Sequence, residues 1–252
     1  MNVEGLLVDL DGTLYIGDQP IPGAVEAMRR IDDGGIPFRY VTNTTRKPRR
    51  AVAEALRAMG FPMHASRGES LVYTPAVAAA RLLLDRRVHA LVAKPLLEDL
   101  HGALLTDWEP EYVLVGDLGA GFTYERLDRA FRHLMDGAKL VALQKNRYWQ
   151  KEDGPSLDAG PFVAALEYAS GKEATVVGKP EKAFYEAALG EIGLEARRVA
   201  MVGDDAEADV AGARAAALLG VQVLTGKYRS GEDGGADLVV ESFADLTEAI
   251  GL

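Results

Sequence analysis

Gly5-Leu-Leu-Val-Asp-Leu-Asp-Gly-Thr-Leu14 joins a short apolar run to two aspartates spaced two residues apart. An uninterrupted run of this length is the pattern of a strand buried on both faces. In extended chain, residues two apart point the same way. Asp9 and Asp11 would then face one spot at the strand's carboxyl end. Two carboxylates that close repel unless a cation or a proton intervenes. The plainer alternative is that Asp11-Gly12 is only a hairpin turn, which this dipeptide favours.

Strand and helix patterns alternate on either side of this stretch. Apolar spacing predicts a helix over 24–31, ended by Gly34-Gly35, and a strand over 38–42. A second helix over 48–59 is stopped by Gly60. Nearer the C-terminus, 174–177, 199–202, 221–224 and 238–240 read as strands, and 181–192, 206–217 and 243–250 as helices. Such alternation predicts a doubly wound α/β fold with a parallel sheet, which binds ligands beyond the carboxyl ends of its strands. The middle carries its own set: strands over 88–93, 112–115 and 139–143, and helices over 76–84, 124–135 and 161–169. The expected organisation is a core of residues 1–75 and 173–252 with a separate domain, 76–172, inserted in it.

The net charge of -10 over 252 residues argues against broad attraction to nucleic acid or an anionic membrane. An acidic protein that binds phosphate must bring local positive charge, from a metal or a few placed cations. The absence of cysteine excludes disulfides, thiolate zinc sites and thiol catalysis. The four histidines show no metal-ligand spacing. No transmembrane run or signal peptide is visible, and a cytoplasmic location is the expectation.

Three further stretches bear on chemistry. Thr42-Asn-Thr-Thr45 follows a strand and opens a helix, with Arg46, Lys47, Arg49 and Arg50 close behind. A helix dipole disfavours cations there. A nearby anion would explain them, and so would a solvated face. Thr42 sits at the strand tip, where its hydroxyl could meet a phosphoryl oxygen. Gly178-Lys-Pro180 puts an ammonium at a strand-to-helix joint. That suits a site holding phosphate and carboxylates, although a surface lysine is the bland alternative. Gly203-Asp-Asp-Ala-Glu-Ala-Asp209 follows a buried strand. Acids are common at helix N-termini, but they are also what an oxygen-ligated Mg²⁺ requires, since it takes one or two carboxylates, waters and substrate phosphate.

In this order, DLDGTL, VTNT, VVGKP and VGDDAEAD resemble the four motifs of the haloacid dehalogenase superfamily. The long insert between the second and third resembles the large C2-type cap of its subfamily IIA. The resemblance implies a Rossmann-like core with an α/β cap, and a Mg²⁺-dependent phosphatase acting on small phosphorylated metabolites. It implies that Asp9 is the nucleophile and Asp11 the general acid/base. Thr42, Asn43 and Lys179 would bind the phosphoryl group. Asp9, the Asp11 carbonyl and Asp204 would hold Mg²⁺, with Asp205 and Asp209 in support. Asn146, Arg147 and Tyr148 are the candidates in the cap for contacts to the leaving group. A homodimer is left open, and no nucleic-acid or membrane partner is implied.

The rival is a catalytically weak phosphate-binding regulatory protein of the same fold, which the intact Asp9, Asp11, Lys179 and Asp204 disfavour. Asp11 also disfavours dehalogenation, and the cap type disfavours mutase transfer. Gly220 to Tyr228 imitates a P-loop, but it has one residue too many, and Tyr228 replaces the required Ser or Thr.

Overall fold

The computed structural model describes residues 2–64, 68–151 and 154–251, without the side chains of 68, 69 and 149–151. Strand β1 (Gly5–Val8) is buried at every residue. The hairpin of β2 (Tyr15–Ile16) and β3 (Gln19–Pro20) follows, then α1 (Ala24–Asp33), β4 (Phe38–Val41), α2 (Arg49–Ala58) and β5 (Val72–Tyr73). The chain continues through α3 (Pro75–Leu82), β6 (Arg87–Leu91), β7 (Leu104–Leu105), β8 (Tyr112–Val115), α4 (Tyr124–Met135) and β9 (Lys139–Ala142). The antiparallel pair β10 (Tyr148–Lys151) and β11 (Gly154–Leu157) leads to α5 (Gly160–Ser170) and β12 (Thr175–Val176). Last come α6 (Lys182–Ile192), β13 (Val199–Gly203), α7 (Gly212–Ala215), β14 (Leu219–Val223), β15 (Leu238–Val240) and α8 (Leu246–Ile250).

These elements form two compact units. The first comprises Met1–Thr42, Arg49–Tyr73 and Lys179–Leu252, and the second Asn43–Pro48 and Thr74–Gly178.

The first unit holds a six-stranded parallel sheet in the order β15-β14-β13-β1-β4-β5. Helix α1 buries Ala24, Ala27, Met28 and Ile31, the i, i+3, i+4, i+7 stripe of an amphipathic helix. This stripe shares a core with Leu6, Val8, Ala200, Val202, Phe243 and Leu246. From β1 the strand order runs outward to β4 on one side and to β13 on the other. In a doubly wound sheet, the crevice beyond such a switch point is where ligands bind.

The second unit holds a five-stranded parallel sheet in the order β12-β9-β8-β6-β7. Alternation along its strands fills both faces. Leu114 and Val141 pack with Ala76 and Ala79 of α3. Val113, Val115 and Leu140 pack with Ala130 and Leu134 of α4 and with Val163 of α5. Among the described residues, no helix is long and apolar enough to cross a membrane.

Two segments are placed differently from the sequence expectation. Thr175–Val176 pairs with β9, so this strand belongs to the second unit and the chain returns to the first at Lys179, not near residue 173. Periodicity reveals a strand but not the sheet it joins, and two residues of pairing leave almost no pattern. Asn43–Pro48 also groups with the second unit. Two polar ties to Asp117, distant in sequence, are among its contacts: the Asp117 amide donates to Thr45 Oγ1 at 2.9 Å, and Arg46 Nε donates to the buried Asp117 carboxylate.

Candidate active site

The site of the first unit lies at the β1–β13 boundary. Val8 pairs with Val202, and the Asp9 amide donates to the Val202 carbonyl at 2.9 Å. Asp9 and Asp204, the residues following the two strands, are thereby held side by side. Both are buried, with Asp209 and Lys179. Carboxylate oxygens of Asp9, Asp204 and Asp209 all lie within 4.8 Å of one another.

Lys179 enters this cluster from the start of the segment leading to α6. Its Nζ donates to Asp9 Oδ1, and to Asp209 Oδ1 at 2.6 Å. The second oxygen of Asp209 accepts the Asp205 amide at 3.1 Å. Each Asp209 oxygen thus takes part in bracing Lys179 or the β13 loop. Gly203 makes this approach possible, because a Cβ there would lie 2.2 Å from Asp209 Oδ2. Asp205 caps the following turn, accepting the amides of Glu207 at 3.2 Å and Ala208 at 2.9 Å.

The electrostatics follow from burial. Desolvation, with Asp9 and Asp209 adding, pushes the Asp204 carboxyl up to about 8. Desolvation also raises Asp209 to about 7, Lys179 opposing and Asp9 adding. Burial works against the Lys179 ammonium, but Asp209 and Asp9 outweigh it and hold its pKa well above the ordinary lysine value. Three carboxylates therefore face one ammonium. A divalent cation between Asp9 and Asp204 would balance the remainder, and oxygen donors of this kind suit a hard cation.

The other expected residues sort as follows. Thr42 is buried directly after β4, its amide donating to the Tyr73 carbonyl at 3.2 Å. Asp11 is exposed, its backbone bridged to Tyr15, and Gly12 takes a φ of 87°, which favours glycine. Asn43 belongs to the second unit, as do Asn146, Arg147 and Tyr148. Asn146 is half-buried there, its amide donating to Gln144 Oε1, while Arg147 and Tyr148 are exposed.

Several residues near the cluster escaped the sequence reading. Thr13 is fully buried, its hydroxyl 3.5 Å from Asp9 Oδ2. Gln222 is fully buried in β14 and donates from Nε2 to the Asp204 carbonyl at 2.9 Å. The Lys227 amide donates to Asp204 Oδ2 at 2.7 Å. Thr13 lies within the DLDGTL motif and Lys227 within the stretch that imitates a P-loop, while Gln222 stands out as the lone polar residue in an apolar strand; none of these signals pointed to Asp204 or Asp9 as the partner.

A parallel doubly wound sheet with a buried Asp–Lys–Asp cluster at its switch point defines an α/β protein whose buried charges gather where such sheets bind ligands. Two family models match the chain: haloacid dehalogenase-like hydrolase over residues 6–105 and HAD-like hydrolase over residues 176–246. Haloacid dehalogenase-like hydrolase domain-containing protein 2 of Homo sapiens is 43% identical, over 92% of this chain and 88% of that protein. Phospholysine phosphohistidine inorganic pyrophosphate phosphatase of Rattus norvegicus is 37% identical, over 99% and 94%. Among solved structures, p-nitrophenyl phosphatase from Archaeoglobus fulgidus superposes with a TM-score of 0.91 at 29% identity, covering 99% of this chain and all of that one. The chain belongs to the haloacid dehalogenase-like hydrolase family.

Proposed function

We propose that the protein is a Mg²⁺-dependent phosphatase that hydrolyses small phosphorylated metabolites through an aspartyl-phosphate on Asp9. One observation carries the reading: Asp9 stands buried at the switch point, hydrogen-bonded to Lys179 and beside Asp204. Relatives that bear phosphatase names support it.

In this reading Asp9 attacks phosphorus and the leaving oxygen departs. Lys179 and the Thr42 hydroxyl bind the phosphoryl oxygens, with Asn43 adding a contact. Asp209 keeps the Lys179 ammonium charged and aimed. Asp11, exposed at the mouth of the β1 loop, protonates the leaving oxygen and then takes a proton from the water that opens the acyl phosphate. Asp9, Asp204 and the Asp11 carbonyl would hold Mg²⁺, which when bound neutralises charge on the transferring oxygens. Asp205 supports this set as the cap of the loop that carries Asp204.

The second unit is read as a cap that selects the leaving group. The chain leaves the first unit after Thr42 and Tyr73, at the carboxyl ends of β4 and β5, and returns at Lys179. Asn146, Arg147 and Tyr148 are the proposed contacts.

The test is turnover of p-nitrophenyl phosphate. Activity is expected with Mg²⁺, background rates in EDTA, and a loss of at least about a thousand-fold in Asp9→Asn. Undiminished turnover in EDTA or in Asp9→Asn would overturn the proposal.

A further inference from the structure

The loop after β14, Thr225-Gly-Lys227, is absorbed by nothing in the proposed chemistry, yet it touches the site at three points. Thr225 Oγ1 donates to the Gly12 carbonyl at 2.5 Å. The Lys227 amide donates to Asp204 Oδ2 at 2.7 Å. Between them Gly226 takes a φ of 62° and lies against Gly12: a Cβ on Gly226 would be 2.6 Å from Gly12 Cα and 2.1 Å from Asp204 Oδ2. A Cβ on Gly12 would likewise fall 2.1 Å from the same oxygen. One carboxylate oxygen of Asp204 is therefore clamped between two glycines and a main-chain donor.

Behind it, Gln222 Nε2 donates to the Asp204 carbonyl at 2.9 Å and fixes the backbone. Asp204 is buried, with carboxylate oxygens of Asp9 and Asp209 within 4.8 Å of its own, so its orientation depends on the donors and walls around it. A charge-assisted hydrogen bond from an amide is what holds an ionised carboxylate in place.

We propose that Thr225, Gly226 and the Lys227 main chain form a positioning latch that presents Asp204 to the cation. Thr225 ties the latch to the β1 loop, so the two loops that carry Asp9 and Asp204 are held as one unit. The Lys227 ammonium takes no part: it is turned to Asp205 Oδ2 at 3.3 Å. The inference rests on the metal reading of Asp9 and Asp204, and its test separates the two.

Mn²⁺ affinity is measured by calorimetry on the full chain, beside the melting temperature in EDTA and the Mg²⁺ dependence of turnover. Thr225→Val keeps the shape and removes the tie. It is expected to weaken Mn²⁺ binding about five-fold, with kcat recovered at saturating Mg²⁺. Gly226→Ala intrudes on Asp204 Oδ2 and is expected to weaken binding more than ten-fold. Lys227→Ala keeps the amide and removes a repelling charge, so its affinity should equal or exceed that of wild type. Asp204→Asn is the reference for loss of the ligand.

If Asp204→Asn binds Mn²⁺ as wild type does, the metal reading itself fails. If Asp204→Asn loses binding while folded Thr225→Val and Gly226→Ala keep it, the latch fails alone. Weakened binding in Lys227→Ala would assign the effect to the ammonium and also overturn the latch. Should Gly226→Ala not fold, Thr225→Val decides, since a lost hydroxyl with unchanged affinity contradicts the proposal.

Discussion

Asp9 and Asp11 come from one sequence motif yet meet opposite environments. Asp9 is buried against Lys179, whereas Asp11 is exposed. The proposed division of labour fits these surroundings: the nucleophile is the one with a cation at hand, and the proton shuttle is the one that reaches water. Asp11→Asn keeps the size and the main-chain carbonyl. It is expected to show a burst of p-nitrophenol close to one per active site, then turnover slowed by about 10²–10⁴-fold, because hydrolysis of the acyl phosphate lacks its base. Wild-type rates of Asp11→Asn on alkyl phosphates, whose poor leaving groups need the acid, would remove its assigned role.

The carboxyls of Asp204 and Asp209 give a second expectation at the level of single residues. Burial pushes the Asp204 carboxyl of the folded chain up to about 8 and that of Asp209 up to about 7, above the ordinary carboxyl value of 3.8. Between those limits the folded protein binds protons that the unfolded chain has released, so stability falls as pH rises. Melting temperature in EDTA should therefore drop from about pH 5 to about pH 8, and saturating Mg²⁺ should restore more at the upper end. A flat profile in EDTA would mean that the two groups titrate as ordinary carboxyls.

Among the elements, the turn after β13 departs most from a regular helix. The sequence predicts a helix over 206–217, but Ala206–Ala211 forms a π-helical turn before α7 begins. The amides of Asp209 and Val210 both donate to the Asp205 carbonyl, at 2.8 and 3.3 Å, which widens the turn. The widening lets the Asp209 side chain fold back to the Asp205 amide and Lys179, a placement that no periodicity encodes. Wide turns of this kind recur at functional sites.

Asp205 serves this element as its N-cap. Asp205→Ala should cost about 1 kcal/mol in unfolding free energy, while Asp205→Asn retains the cap and should stay within about half of that. A loss of Mn²⁺ affinity in Asp205→Asn as large as in Asp204→Asn would instead make Asp205 a ligand.

What could be read from sequence and what could not divides by range. β1 and β13 are legible because each is a continuous apolar run followed by polar residues, and β4 because apolar residues flank a single Arg39 before the polar Thr42-Asn43; the strand tips locate Asp9, Thr42 and Asp204. The allegiance of β12 and of Asn43–Pro48 is not legible, because it depends on pairing and on Asp117, far along the chain. Thr225-Gly-Lys227 looks like a broken phosphate loop in sequence. Its contacts to Gly12 and Asp204 exist only because β14 lies next to β13, and β13 next to β1.

At the scale of the molecule, an acidic chain holds its cations where they are needed. Lys179 is buried among carboxylates at the switch point, so the proposed phosphate site would be built from few charges and not from a basic surface. The family resemblance extends over nearly the whole chain, both units included. The proposed chemistry turns on one bond, between Asp9 and phosphorus. It is tested most directly by quenching Asp11→Asn in acid just after its p-nitrophenol burst, digesting the protein and mapping the phosphoryl group by mass spectrometry. Close to one phosphoryl group per chain is expected, on the peptide that carries Asp9. A stoichiometric burst with Asp9 unmodified, or with the phosphoryl group on another residue, would contradict it.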